Sequence, residues 1–282
     1  MRIRFPKILL CLSLLLTACS DDQEVVAQGL TDGSKGTVLR NQTIHSEILR
    51  RDMLYSIYLP AGYTDSKQYP VLYLLHGWGG DQNEWWVYDD MADDADAMIA
   101  SGEVPEMIIV TPDGQTWRYI DNWNGNGLDY EQYFFEELMP YIETRYSIRR
   151  ERQSRAIGES ELTDMGSIVT NYQPSVLPGI TLECGDRDYF TYDNRDFSAQ
   201  LTQLGIAHEH IERNGGHDWE FWSVCTPKML RKVGGLFRQG TTDIRSTRAD
   251  SSKQAAIYSL SGTRRDTLQK GINIVNGKKI IR

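Results

Sequence analysis

An α/β fold with a mostly parallel central sheet covered by helices is predicted by two features of the chain. Pro70-Val71-Leu72-Tyr73-Leu74-Leu75 and Met107-Ile108-Ile109-Val110-Thr111 are continuous apolar runs, as expected of strands buried on both faces. Helix-compatible stretches alternate with such runs, and glycine-rich turns follow them at His76-Gly77-Trp78-Gly79-Gly80 and Gly215-Gly216-His217.

The elements read in order. Thr43 to Leu59 holds two alternating runs separated by Arg50-Arg51-Asp52, a hairpin ending at Pro60. The strand 70–75 runs into the first glycine turn. A helix near Asp89 to Ser101 precedes the strand 107–111. Tyr130 to Tyr146 is amphipathic, with Pro140 kinking it or dividing it in two. Arg155-Ala156-Ile157-Gly158 is a short strand, and Gly179 to Cys184 another. Asp196 to Leu204 reads as a helix, His208 to Arg213 as the last strand of the body, and Trp219 onward as the closing helix.

Both ends carry targeting composition. Arg2, Arg4 and Lys7 precede an apolar run, Ile8 to Leu16, that is too short to span a bilayer. Leu16-Thr17-Ala18-Cys19 resembles a bacterial lipobox, with residues 1–18 the signal peptide and Cys19 the lipidated first residue. Residues 19–36 form a tether whose Ser20-Asp21-Asp22-Gln23-Glu24 resembles the acidic surface-export signal of Bacteroidetes lipoproteins. The body is expected to span 37–240, followed by a linker at 241–253. Residues 254–282 resemble a type IX secretion sorting module, with Asn276-Gly277 as a two-residue hairpin turn. The reading is an exported protein, secreted or held at the outer membrane or cell surface. It meets export machinery through its termini and the membrane only through a lipid anchor.

Charge follows the same boundaries. The whole chain carries −9, and loss of the three basic leader residues makes it −12. The segment after Gly240 has nine basic residues against three acidic ones, so residues 19–240 carry −18, of which the tether holds −3 and the body −15. That excess argues against nucleic acid and other polyanions as partners. Cys11 leaves with the leader, and Cys184 and Cys225 remain, either bonded to each other or as two free thiols. Cysteine and histidine spacings suggest no metal, and no organic cofactor is implied.

Three stretches carry chemistry. The glycines at 77, 79 and 80 permit a tight turn after a central strand, aiming backbone amides at a developing oxyanion; such a donor is worth about 3–4 kcal/mol of barrier. Asp188 follows the strand ending at Cys184 and His217 follows the last strand, giving a carboxylate that can orient an imidazole. Asp186, two residues earlier on an extended segment, competes for the acid role. Gly158-Glu159-Ser160-Glu161-Leu162 stands where a nucleophile turn belongs.

Together, His76-Gly77-Trp78-Gly79-Gly80-Asp81 with Trp85-Trp86, Gly215 to Trp219 with Trp222, and Asn194 with Phe197 resemble the esterase D-type α/β-hydrolases. These include feruloyl and acetylxylan esterases, and the match runs from about Ile44 to Phe237. The resemblance implies an α/β-hydrolase fold and a serine carboxylic-ester hydrolase acting through an acyl-enzyme. Its substrate would be a small ester or an acyl or feruloyl ester of a polysaccharide. It places Ser160 as nucleophile, Asp188 as acid and His217 as base, with the Trp78 and Glu161 amides as oxyanion hole. His76, Gly77, Trp85, Trp86, Trp123 and Trp219 would bind substrate; Trp117 and the polar loop Asn122, Asn124, Gly125 and Asn126 lie nearby in sequence.

The elbow departs from the family pattern Arg-x-Ile-x-Gly-x-Ser-Met-Gly-Gly. Aligned without a gap, Glu161 takes the nucleophile position; with one deletion Ser160 does, but Leu162 and Thr163 replace two glycines. Only 28 positions separate Ser160 from Asp188. Glu161 to Tyr172 can supply one short helix, so one strand and much of a helix that should follow the elbow are expected to be missing. The competing reading is a catalytically impaired homologue that binds glycans at the cell surface.

Overall fold

The structure is a computed structural model that describes residues 33–77, 79–115, 119, 121, 128–159 and 179–243, and four short strands between 257 and 281. Its main sheet has the order β1-β2-β4-β3-β5. β1 (Thr37–Ser46) and β2 (Arg51–Leu59) form the expected hairpin, with the turn at 47–50 rather than at Arg50-Arg51-Asp52. Ser46 Oγ donates to Glu137 Oε2 at 2.5 Å, and the other Glu137 oxygen accepts the Glu47 and Ile48 amides, so one carboxylate fixes this turn.

β3 (Val71–Leu75) and β4 (Ile108–Pro112) are buried at every position. Their alternation divides the core. Val71, Tyr73, Leu75, Ile108 and Val110 meet the helical run 130–145, whereas Leu72, Leu74 and Ile109 meet the helices on the opposite face. β2 runs antiparallel to β4, while β4, β3 and β5 (Arg155–Glu159) are parallel. The mostly parallel, doubly covered sheet is therefore present.

One face is covered by α1 (Glu84–Val87), α2 (Met91–Ala100) and the closing helix; the other by α3 (Tyr130–Tyr133), a π-helical turn (Phe134–Leu138) and α4 (Met139–Arg145). The π turn stands directly before Pro140. Proline has no N–H to donate and its ring crowds the preceding turn, so a widened turn lets the helix continue without that bond. Division rather than termination is the outcome at Pro140.

A second, two-stranded sheet pairs β6 (Ile180–Gly185) in parallel with β7 (His208–Arg213). α5 (Thr191–Gln203) connects them, starting five residues before the predicted helix. α6 (Trp219–Asp243) follows β7 and extends three residues into the expected linker. It joins the two sheets: Leu230, Val233 and Phe237 enter the β3–β4 core, and the Met229 sulfur lies beside Gly158 of β5. Gly234 permits this approach, since a Cβ there would meet Val104 and Pro105 at about 3 Å.

Among the described residues no strand joins β5 to β6, and β5 forms the end of its sheet with Ile157 51% exposed. A central strand of this fold would be covered there. The expected absence of a strand after the elbow falls on residues 160–178, which lie outside the described ones. At the C-terminus, β8 (Ile257–Ser259), β9 (Arg264–Arg265), β10 (Ile272–Val275) and β11 (Lys278–Ile281) form an antiparallel sheet. Val275 pairs with Lys278, as a two-residue Asn276-Gly277 connection requires, although those two residues lie outside the described ones. Among the described residues no helix is long and apolar enough to cross a membrane.

Candidate active site

Parallel pairing of β6 with β7 aligns Gly185 with Arg213, so the chain leaves both strands at the same edge. The two exits are then tied together. Asp186 N–H donates to Arg213 O at 2.7 Å, Arg187 N–H to Gly215 O at 2.9 Å, and Gly215 N–H to Asp186 Oδ1 at 3.1 Å. Only glycine at 185 allows such closeness, because a Cβ there would stand 2.5 Å from Gly215 O. Gly215 has a matching reason: its Cβ would collide with the Phe221 ring.

This braced corner sets Asp188 against His217, with Oδ2 at 2.9 Å from Nδ1. The other carboxylate oxygen accepts Phe190 N–H at 2.8 Å. Asp188 is buried and its side chain lies before the first turn of α5, where aligned backbone dipoles favour negative charge. With Nδ1–H donating to Asp188, the imidazole presents Nε2 as the basic nitrogen, the tautomer a general base needs. Asp186 is instead engaged in bracing the corner, so the competition between the two carboxylates resolves to Asp188 on geometry. Asp218 Oδ1 accepts Phe221 N–H at 2.9 Å, which starts α6 immediately after the histidine.

Rings surround the imidazole. Tyr189 and Trp222 lie 4.5 and 4.7 Å from its centroid, and Phe190 5.6 Å. Trp219 packs edge-on to Trp222 at 5.0 Å and contacts Tyr88 at 5.7 Å. Tyr88 and Tyr189 are not among the residues the sequence motifs point to. Adjacency to Asp188 is the available signal for Tyr189; for Tyr88 the chain carries none, since its link is through Trp219.

Several expected substrate contacts prove to be internal. His76 is only 2% exposed. Its Nδ1 lies 2.7 Å from Gly77 O, which accepts, and its Nε2 accepts Gly114 N–H at 2.8 Å. Both ring nitrogens are thereby used to join the turn after β3 to the turn after β4, and the side chain is a loop brace rather than a ligand contact. Trp85 is buried, donating Nε1–H to Leu75 O at 3.1 Å and packing edge-on against Trp219. Trp86 is buried too, with Nε1–H to Thr111 Oγ1 at 2.7 Å and its ring stacked on Tyr58. These two tryptophans back the site from the core, because each indole N–H finds its acceptor inside.

Gly77 is half-buried next to His76, and Gly79 adopts φ +77°, the left-handed conformation that the turn demands of glycine. Gly80 N–H closes the turn on Gly77 O at 3.0 Å. Trp78, Trp117, Asn122, Trp123, Asn124, Gly125, Asn126, Ser160, Glu161 and Cys19 lie outside the described residues. β5 nevertheless leads straight to Ser160, ending at Glu159 beside Leu75 of β3. The chain therefore leaves β3 and β5, neighbouring parallel strands, in the same direction.

Cys184 and Cys225 are free thiols. Cys225 Sγ–H donates to Glu183 Oε1 at 3.2 Å, and burial together with this carboxylate pushes its pKa up to about 12. Burial raises Cys184 to about 11. Neither is a nucleophile near neutral pH. Among the described residues no cluster of three His, Cys, Asp or Glu side chains could hold a metal ion.

The antiparallel-then-parallel sheet and the acid–base pair on consecutive strand exits define an α/β-hydrolase. Residues 46–168 match the family model described as "Putative esterase". It is 24% identical over 226 residues to an endo-1,4-beta-xylanase/feruloyl esterase of Xylanibacter ruminicola, covering 69% of this chain and 31% of that protein. The chain thus spans less than a third of the length of this curated relative. A solved ferulic acid esterase superposes with TM-score 0.62 at 27% identity, covering 72% of this chain and 99% of that one. The ferulic acid complex of a family CE1 esterase from Anaeromyces mucronatus shares the fold, with TM-score 0.60 at 21% identity, covering 77% and 97%.

Proposed function

We propose that the chain is a serine carboxylic-ester hydrolase acting on acyl or feruloyl esters of polysaccharides. The observation that carries this is the Asp188–His217 pair at 2.9 Å, its carboxylate buried and its corner braced, in the nucleophile–acid–base order of the fold. Ser160 attacks the ester carbonyl while His217 Nε2 takes its proton, and Asp188 stabilises the imidazolium that forms. The Trp78 and Glu161 amides receive the oxyanion. His217 then protonates the departing alcohol, leaving an acyl-enzyme that water hydrolyses by the reverse proton traffic. The ester-hydrolase relatives support the substrate class, and the net −15 of the body favours uncharged sugars over polyanions.

The test is hydrolysis of a small activated aryl ester by the purified chain beside Ser160→Ala and His217→Ala. Activity lost in both variants establishes the mechanism. Activity retained in Ser160→Ala would transfer the role to another residue of the elbow. One observation favours the second reading, a catalytically impaired surface glycan binder: among the described residues β5 stands at a sheet edge, with Ile157 exposed. Folded protein with no rate above buffer would select that reading.

Export and anchoring belong to the same proposal. The lipobox would place a lipid on Cys19, and the C-terminal strands would serve as a sorting segment. Labelled fatty acid incorporated by the wild type and not by Cys19→Ala would support the anchor; equal incorporation would remove it.

A further inference from the structure

A continuous run of rings passes through the catalytic histidine. From Tyr88 the contacts proceed to Trp219 at 5.7 Å, Trp222 at 5.0 Å and His217 at 4.7 Å, and on to Tyr189 at 4.5 Å and Phe190, itself 4.5 Å from Tyr189. Its interior members are half-buried and hold the imidazole. Tyr88 and Tyr189 are 63% and 65% exposed. Exposed aromatic surface that is continuous with an active site marks a binding surface rather than packing.

The chemistry of His217 decides which part of an ester this surface meets. In ester cleavage the C–O bond of the tetrahedral intermediate breaks as the imidazolium delivers its proton to the alcohol oxygen. The leaving alcohol must therefore lie against the histidine, whereas the acyl group stays bonded to the nucleophile at the end of β5. Rings clustered on the imidazole consequently face the alcohol. For a polysaccharide ester that alcohol is the sugar chain, whose apolar ring faces stack on aromatic faces. The strongly acidic body excludes a polyanionic chain on the same surface.

We infer that Tyr88, reached from His217 through Trp219 and Trp222, is a specificity-determining residue that stacks an uncharged sugar ring of the leaving group beyond the esterified one. The inference rests on the ester-hydrolase reading. Tyr88 is the informative position because it is two rings removed from His217, and its substitution leaves the immediate contacts of the imidazole in place. Tyr189 touches the imidazole directly, so its removal would mix recognition with catalysis.

The experiment uses the full chain with Tyr88→Ala and Tyr88→Trp. Two esters of one acid, an ethyl ester and a xylo-oligosaccharide ester, give the preference for the sugar alcohol as a ratio of kcat/KM. In Tyr88→Ala this ratio is expected to fall about tenfold, mainly through KM, while Tyr88→Trp retains it, the size of effect one aromatic contact supplies. A second arm measures binding of unesterified xylo-oligosaccharide by calorimetry, where Tyr88→Ala weakens affinity by a similar factor. An unchanged ratio with unchanged binding overturns the inference. So does a variant whose acyl preference shifts instead, shown with two acids on one alcohol. If no ester is hydrolysed yet sugar binding depends on Tyr88, the inferred sugar contact survives and the hydrolase reading fails.

Discussion

The two halves of the site are built to different standards. On the acid–base side, three backbone-centred hydrogen bonds and the glycine contact at Gly185 and Gly215 lock the strand exits, and Asp188 is satisfied by both Phe190 N–H and His217. On the nucleophile side, β5 has β3 on one edge, the Met229 sulfur against Gly158, and an exposed Ile157. One half is over-determined by local bonds, and the other depends on the elbow residues beyond Glu159. The Asp188–His217 corner can thus hold its shape independently of the elbow, because its geometry rests on bonds between the two strand exits.

The largest expected effect breaks the comparison at its firm end. Asp188→Asn keeps the shape of the corner but reverses the hydrogen bond to Nδ1, placing the proton on Nε2, where His217 can no longer act as base. The rate of ester hydrolysis should fall about 10³- to 10⁴-fold with stability little changed, as measured by steady-state kinetics and thermal melting. A fall below tenfold would remove Asp188 from the mechanism.

Next comes the support of β5. Arg155 Nε and Nη2 each lie 2.6 Å from a Glu143 carboxylate oxygen, and Glu143 is only 6% exposed. Arg155→Ala leaves that carboxylate without its cation. The cost should be about 2–3 kcal/mol in urea unfolding, at the low end for a buried pair because Arg155 is itself about one-third exposed. Adding Glu143→Gln to Arg155→Ala, which leaves no orphaned carboxylate, should recover part of that loss; no recovery would instead assign the effect to packing of the strand.

Alkaline pH tests the core between the main sheet and the helical run 130–145. Desolvation holds the hydroxyls of Tyr73, Tyr130 and Tyr133 far above the ordinary phenol range. Below about pH 10 folded and unfolded chains are equally protonated there, so these groups contribute no pH dependence. Above it the unfolded chain releases protons that the folded chain retains, and stability must fall as pH rises. Denaturant midpoints from pH 8 to 11.5 should decline from about pH 10, in step with phenolate absorbance.

The smallest effect sharpens the soft end. At an exposed position Ile157→Lys should change unfolding free energy by no more than about 0.5 kcal/mol. A loss of several kcal/mol would mean that another part of the chain covers β5, and the contrast between the halves would vanish.

The sequence conveyed those features that rest on pattern. Continuous apolar runs gave β3 and β4 because burial on both faces erases alternation. Asp188 and His217 were legible because each follows a strand directly. Burial of Trp85, Trp86 and His76 was not legible: whether a polar aromatic faces a ligand or the core depends on acceptors such as Leu75 O, Thr111 Oγ1 and Gly77 O, supplied from elsewhere in the fold. The start of α5 lies earlier than its pattern suggests because Thr191 to Arg195 lacks apolar periodicity. Its first turn is instead held by Thr191 Oγ1–H on Gly185 O at 2.7 Å and by Asn194 on Phe190 O at 3.0 Å.

α6 begins two residues after His217 and ends within the packing of the opposite sheet, spanning 25 residues. With no strand joining β5 to β6 among the described residues, this helix acts as a splint between the histidine and the strand that leads to the nucleophile. Alignment of the reacting groups is thereby set at a distance, where Gly234 rests on Val104 and Pro105. A shim as small as one methyl group at that far contact would tilt the splint and misalign a site it never touches.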